Sequence, residues 1–83
     1  MGKKRSDIEI LADILRVAND GAKKSHIVYK ANLNFKIVRN YLNILKNSGL
    51  ITVPEGNSRI FRTTEKGFEY LNHFEAFKNY LKP

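Results

Sequence analysis

Six residues, Lys36, Arg39, Asn40, Asn43, Lys46 and Asn47, recur at the three- and four-residue spacings that gather side chains on one side of a helix. All six are lysine, arginine or asparagine. Lysine and arginine bond phosphate oxygens and guanine acceptors, and an asparagine carboxamide can pair twice with adenine. The chemistry is therefore that of contact with nucleic acid. The plainer alternative is a solvated face, but such a face usually mixes in glutamate, and this one holds none. Lys23, Lys24, Ser25 and His26 stand where another helix would begin, and free amides at a helix start attract phosphate. His26 is more ordinarily a capping or surface residue. Asn57, Ser58 and Arg59 form a turn with Arg62 behind it, which suits either a backbone-touching loop or a simple polar connection.

Other chemistries are excluded by what is missing. With no cysteine there is no thiol nucleophile, no disulfide and no thiolate metal site. Two histidines, His26 and His73, are too few for an all-histidine zinc site. No glycine-rich phosphate loop is present, and Glu69 and His73, four apart, read as a surface helix pair. We expect no enzyme, no metal and no cofactor. No stretch approaches the ~20 apolar residues that span a bilayer, and the basic start is not followed by a signal-peptide core. The expectation is a soluble cytoplasmic protein, nucleoid-associated, with no membrane partner.

The net charge of +7 is unevenly spread. Residues 1 to 5 carry +3 and residues 6 to 20 carry −3. From Gly21 to Pro54 there are six basic residues and no acid, residues 55 to 63 add +1, and the last twenty sum to zero. A basic block between an acidic helix and a neutral tail describes a charged face, and such a face attracts polyanions. Solubility charge is the bland reading.

The elements that must position these residues follow from the pattern. Ile8, Leu11, Ile14, Leu15 and Ala18 give a helical stripe over Asp7–Asn19, with Ser6 and Glu9 spaced as a capping box and Gly21 as the stop. Ala22 to Lys24 form a short extended link, and a short helix spans Ser25 to Ala31. Asn32-Leu33-Asn34 is a turn, with Asn34 capping a third helix from Phe35 to Ser48 closed by Gly49. Phe35, Ile37, Val38, Tyr41, Leu42, Ile44 and Leu45 fill the apolar half of that helix. Leu50 to Val53 and Arg59 to Thr63 make a hairpin. Thr64 caps a last helix that tolerates Gly67 and runs to about Leu81. The predicted fold is mainly α with a small β-hairpin, a winged helix-turn-helix of order α-β-α-α-β-β-α with a C-terminal dimerisation helix. It forms one domain over 1–83, with 1–5 a basic arm and 64–81 the last helix. Within the arm, Lys3-Lys4-Arg5 either tracks a DNA groove or backbone or is simply mobile.

On the last helix, Gly67, Tyr70, Phe74, Phe77 and Leu81 recur at spacings of three and four, an a/d seam of about two heptads. Phe68 and Leu71 lie off the seam and can serve the core. A small domain has little room for so many aromatic residues on one terminal helix, and left exposed they would form an adhesive patch. A homodimer through Tyr70, Phe74, Phe77 and Leu81 is expected, assisted by Ile10 and Val17, with His73 on its flank. The alternative is packing against the first helix. Tyr29, Tyr41, Tyr70 and Tyr80 read as core or interface residues.

The run Gly-Ala-Lys-Lys-Ser-His-Ile-Val-Tyr-Lys-Ala-Asn-Leu-Asn-Phe (21 to 35) resembles the archaeal winged-helix regulators. So do Leu-Lys-Asn-Ser-Gly-Leu-Ile (45 to 51) and Thr-Thr-Glu-Lys-Gly (63 to 67). That group includes small Sulfolobus chromatin-type proteins that dimerise through a long C-terminal helix. The resemblance implies an archaeal or archaeal-virus origin and double-stranded DNA as ligand. The last helix here is shorter than the rod of those members, which implies a compact dimer. The reading is a dimeric transcriptional regulator whose third helix enters the major groove. Its alternatives are an architectural DNA-binding protein of low specificity and a protein–protein adaptor, the latter disfavoured by the acid-free block.

Overall fold

A computed structural model describes residues 5–81 of the chain. The elements run α1 (Asp7–Val17), β1 (Ala22–Lys23), α2 (Lys24–Ala31), α3 (Phe35–Asn47), β2 (Ile51–Thr52), β3 (Ile60–Thr63) and α4 (Glu65–Tyr80), in the predicted order.

Helices α1, α3 and α4 start where the sequence supplies a cap. Glu9 N donates to Ser6 Oγ at 3.2 Å and Ser6 N donates to Glu9 Oε1 at 2.9 Å, completing the capping box of α1. The Ser6 N–H first, and next the Ser6 hydroxyl, which donates to Glu9 Oε1 at 3.2 Å, hold the Glu9 carboxyl below its usual value. Ile37 N donates to Asn34 Oδ1 at 2.8 Å to cap α3, and Gly67 N donates to Thr64 Oγ1 at 3.1 Å to cap α4. The first helix stops at Val17, two residues before the predicted end, and the chain reverses through Gly21 at φ 101°. Asn32, at φ 58°, takes the left-handed position that ends α2 and opens the turn to α3.

The predicted short strand after α1 pairs with the hairpin, whose own strands are shorter than expected, giving a three-stranded antiparallel sheet in the order β1-β3-β2. Ala22 stands opposite Phe61 and Ile51 opposite Thr63. Lys24 leaves the strand and opens α2 instead. β3 also closes the end of α1: Thr63 Oγ1 donates to the Leu15 carbonyl at 2.7 Å and Thr63 N to the Ala18 carbonyl at 3.0 Å. Ile14, Leu15, Ala18, Ile27, Val38, Leu42, Leu45 and Ile51 form the core between the three helices and the sheet.

Several apolar side chains expected inside lie outside. Phe35, Ile37 and Ile44 are exposed, so α3 buries only Val38, Leu42 and Leu45 fully. Phe68 is exposed and only Leu71 of that pair packs against the core. Tyr29 and Tyr80 are exposed, so neither is a core residue. The reason is geometric: a core of three short helices covers an arc narrower than half a helix.

The last helix packs against α1. Tyr70 is half-buried against the core and its hydroxyl donates to the Ile8 carbonyl at 2.8 Å, while burial raises its pKa above the ordinary value. Ile10 and Val17 also pack against this core. The seam is therefore divided, with Gly67 and Tyr70 serving the monomer. Arg16 pairs with both Asp13 and Glu75 and lies 5.6 Å from the centre of the Phe74 ring, tying α1 to α4.

Arg5 is not a loose arm residue. It pairs with Asp13 at 2.8 Å and donates to the Asn32 carbonyl at 3.2 Å, at the end of α2. Lys3 and Lys4 lie outside the described residues.

Candidate nucleic-acid interface

The exposed face of α3 is set by what the opposite side buries. With Val38, Leu42 and Leu45 in the core, Lys36, Arg39, Asn40, Asn43, Lys46 and Asn47 are all exposed. Lys36, Asn40, Asn43 and Asn47 project most directly outward at helical spacing, with Arg39 and Lys46 along one flank. Every one of them offers hydrogen-bond donors, and the asparagines offer acceptors as well. A helix so furnished can meet both phosphates and base edges.

A second cationic group assembles because β1 pairs with β3. The pairing sets Lys23 opposite Ile60, which brings the start of α2 against the hairpin connection. Lys23, Lys24, Ser25, Ser58, Arg59 and Phe61 then line a shallow hollow of about 360 Å³. No side chain caps the amides at the start of α2. The loop holds its shape through Gly56 at φ 85° and through Arg59 N donating to Asn57 Oδ1 at 3.2 Å. Asn57 thus uses its side-chain oxygen to fold the turn.

Two predicted residues stand apart from this group. His26 turns to a separate hollow lined with Arg16, Val17 and Lys30. Arg62, exposed on β3, runs its guanidinium past Gly21, 3.4 Å from where a Cβ would stand. Neither lines the hollow between α2 and the wing.

Elsewhere on the surface, between α1 and α4, Phe74 is half-buried while Ile8, Phe77 and Leu81 are 55%, 59% and 66% exposed. His73 joins Ile8, Tyr70, Phe74 and Phe77 around one hollow there, and Leu81 borders the next. Of the four predicted interface residues, Phe74, Phe77 and Leu81 remain available on this surface, whereas the Tyr70 hydroxyl is engaged within the monomer.

Sequence reasoning missed the groove between the start of α1 and α3. Asp7, Ile10, Leu33, Ile37, Asn40, Tyr41 and Ile44 enclose about 390 Å³ there. Tyr41 donates to Asp7 Oδ1 at 2.5 Å, a bond that pushes the Tyr41 hydroxyl above its ordinary pKa. The available signal was the width of the apolar arc on α3, greater than so small a core can cover. Among the described residues no group of three or more His, Cys, Asp or Glu is placed to hold a metal ion. No described helix is long and apolar enough to cross a membrane.

Three helices, a short turn before the third and a hairpin after it define a winged helix-turn-helix protein. Residues 4–82 match the winged helix-turn-helix family, and the chain belongs to it. It is 35% identical over 81 residues to the uncharacterized protein MJ0290 of Methanocaldococcus jannaschii, a match covering 96% of this chain and 37% of that protein. It is 32% identical over 77 residues to MJ0287 of the same archaeon, covering 90% of this chain and 76% of the relative. The chain thus spans little more than a third of the first relative and about three quarters of the second. Among solved structures, Sso10a-2, a DNA-binding protein from Sulfolobus solfataricus, superposes with a TM-score of 0.82 at 32% identity, over 90% of this chain and 80% of that one. Bordetella bronchiseptica BpsR, whose DNA binding is regulated by 6-hydroxynicotinic acid, matches at TM-score 0.73 over 94% of this chain and 57% of its own. At 17% identity, that likeness shows the fold alone.

Proposed function

We propose that this chain is a double-stranded DNA-binding protein of the cytoplasm and its nucleoid, acting without catalysis as a dimeric transcriptional regulator. The observation that carries the reading is the exposed face of α3, six residues of lysine, arginine and asparagine with no acid among them. Helix α3 enters the major groove. Arg39, Lys36, Asn40 and Asn43 meet base edges or the phosphates beside them, and Lys46 and Asn47 meet the backbone. The hollow formed by Lys23, Lys24, Ser25, Ser58 and Arg59 grips a neighbouring phosphate run, with the wing as its outer wall. The 32% identity to Sso10a-2, itself a DNA-binding protein, supports the same reading.

The dimer forms through Ile8, Phe74, Phe77 and Leu81, apolar side chains that join two adjacent hollows into one uncovered surface. Two copies joined there present two α3 helices to one duplex, and a two-fold dimer reads half-sites about one helical turn apart. Fluorescence anisotropy of a labelled mixed-sequence duplex, titrated at several salt concentrations, tests the DNA-binding reading. Binding that weakens steeply with salt is expected, the slope counting the phosphates neutralised. Absence of binding at low salt refutes it.

A further inference from the structure

The groove between α1 and α3 is unlike the rest of this cationic surface. Its walls are Ile10, Leu33, Ile37 and Ile44, and its polar end is an acid, Asp7. Ile37 and Ile44, 37% and 50% exposed, contribute little to a core already closed beneath them by Val38, Leu42 and Leu45. β-Branched residues on an exposed helix face are also poorer helix formers than the lysines beside them. At about 390 Å³ the space falls within the range of small-molecule sites, and an apolar lining with few convergent polar groups is their usual composition.

The polar end is fixed and negative. Tyr41 holds Asp7 Oδ1 at 2.5 Å, which orients the carboxylate. Among the described residues Asp7 has no ion pair, although the chain carries +7 overall. Among the described residues no cationic side chain lines the groove. An anchored carboxylate beside four aliphatic walls is complementary to one kind of small ligand, an apolar body carrying a protonated amine.

We infer that this groove binds a small organic cation, with its ammonium on Asp7 and its hydrocarbon against Ile10, Leu33, Ile37 and Ile44. Asn40 lines the same groove from the exposed face of α3. A loaded groove therefore alters the surface that helix offers, a consequence that rests on the DNA-binding reading, whereas the binding itself does not.

The test is a heteronuclear NMR titration of the whole chain with phenethylamine, in the absence of DNA. Phenethyl alcohol and hydrocinnamate serve as neutral and anionic probes of similar shape. The amine is expected to shift the resonances of Asp7, Ile10, Ile37 and Ile44 saturably, and the alcohol to bind about tenfold more weakly. Asp7→Asn keeps an oxygen for Tyr41 and removes the charge, so it is expected to weaken the amine about tenfold and leave the alcohol unchanged. Equal binding of all three probes, shifts that survive Asp7→Asn, or no saturable shift overturns the proposal. Shifts at the same residues that appear on raising protein concentration without a probe also overturn it, because they assign the groove to a second copy. Since no DNA is present, failure of the DNA-binding reading leaves this result untouched.

Discussion

Gly67, in the first turn of α4, lies so close to the Leu50 carbonyl that a Cβ built on it would stand 2.3 Å from the oxygen. The same Cβ would meet Thr63 Cγ2 at 2.6 Å. Both neighbours belong to the segment around the hairpin, so this glycine sets how closely the last helix approaches the sheet. Helix propensity alone favours alanine over glycine by about 1 kcal/mol. Overcrowding of packed backbone costs about 1–3 kcal/mol, so Gly67→Ala is expected to destabilise. Urea unfolding measures the sign, and a variant as stable as the parent would mean that α4 can shift away from Leu50.

Thr63 supplies the other close tie. Its hydroxyl, on a residue only 4% exposed, satisfies the carbonyl of Leu15, one of the last carbonyls of α1 that the helix cannot pair itself. Thr63→Val keeps the shape and orphans that carbonyl, and is expected to cost about 1–3 kcal/mol. Thr63→Ser retains the bond and loses a methyl group, so it should fall nearer the parent in the same denaturation series.

These ties explain what the sequence could and could not reveal. Helix starts were legible because Ser6, Asn34 and Thr64 act within their own turn, and the loop chemistry of Pro54 to Ser58 is equally local. The short strand at Ala22 and Lys23 was legible, but its partner was not: it pairs with Phe61 and Ile60, nearly forty positions on. The tightness at Gly67 was invisible for the same reason, since nothing in the helix pattern announces the Leu50 carbonyl. On α3 the basic face was read from composition, but the apolar half was read too generously. Periodicity says which residues share a side, whereas the size of the core decides how many of them it can cover, and Ile37 and Ile44 fell outside that limit.

On DNA, Arg39 and Lys46 are expected to behave differently although both lie on one flank of α3. Arg39→Ala should cost about 1–3 kcal/mol on a preferred duplex and relax its selectivity, as loss of a guanine contact does. Lys46→Ala should weaken all duplexes alike and lower the salt slope by about one. Anisotropy titrations of both variants against preferred and scrambled duplexes separate the two. Unchanged affinity for Arg39→Ala would remove it from the reading face.

The apolar surface at the far end of α4 gives a prediction on assembly. Phe77 is 59% exposed, so Phe77→Asp leaves the monomer core intact. The charge would nevertheless be buried wherever two copies meet, and an unpaired buried charge is strongly unfavourable. Sedimentation is expected to show monomers for Phe77→Asp, with duplex affinity reduced because one reading helix acts alone. Dimers that persist would place the contact elsewhere, and unchanged DNA affinity in a monomeric variant would separate assembly from binding.

Glu9 gives a prediction on acid. Its carboxyl is held below 4.5 chiefly by the backbone N–H of Ser6, and next by the Ser6 hydroxyl. A carboxyl depressed in the folded state contributes stability that is fully present above its unfolded value. That contribution is lost as pH falls through the lower, folded value. The start of α1 should therefore loosen in acid below 4.5, as the carboxylate that closes the capping box is protonated. Ser6→Ala removes the hydroxyl and keeps the backbone N–H, so it should return the Glu9 titration only part of the way towards 4.5. Carboxyl-detected NMR titration of parent and variant measures both midpoints. A complete return would assign the whole depression to the hydroxyl, whereas no movement would leave the backbone bond as its cause.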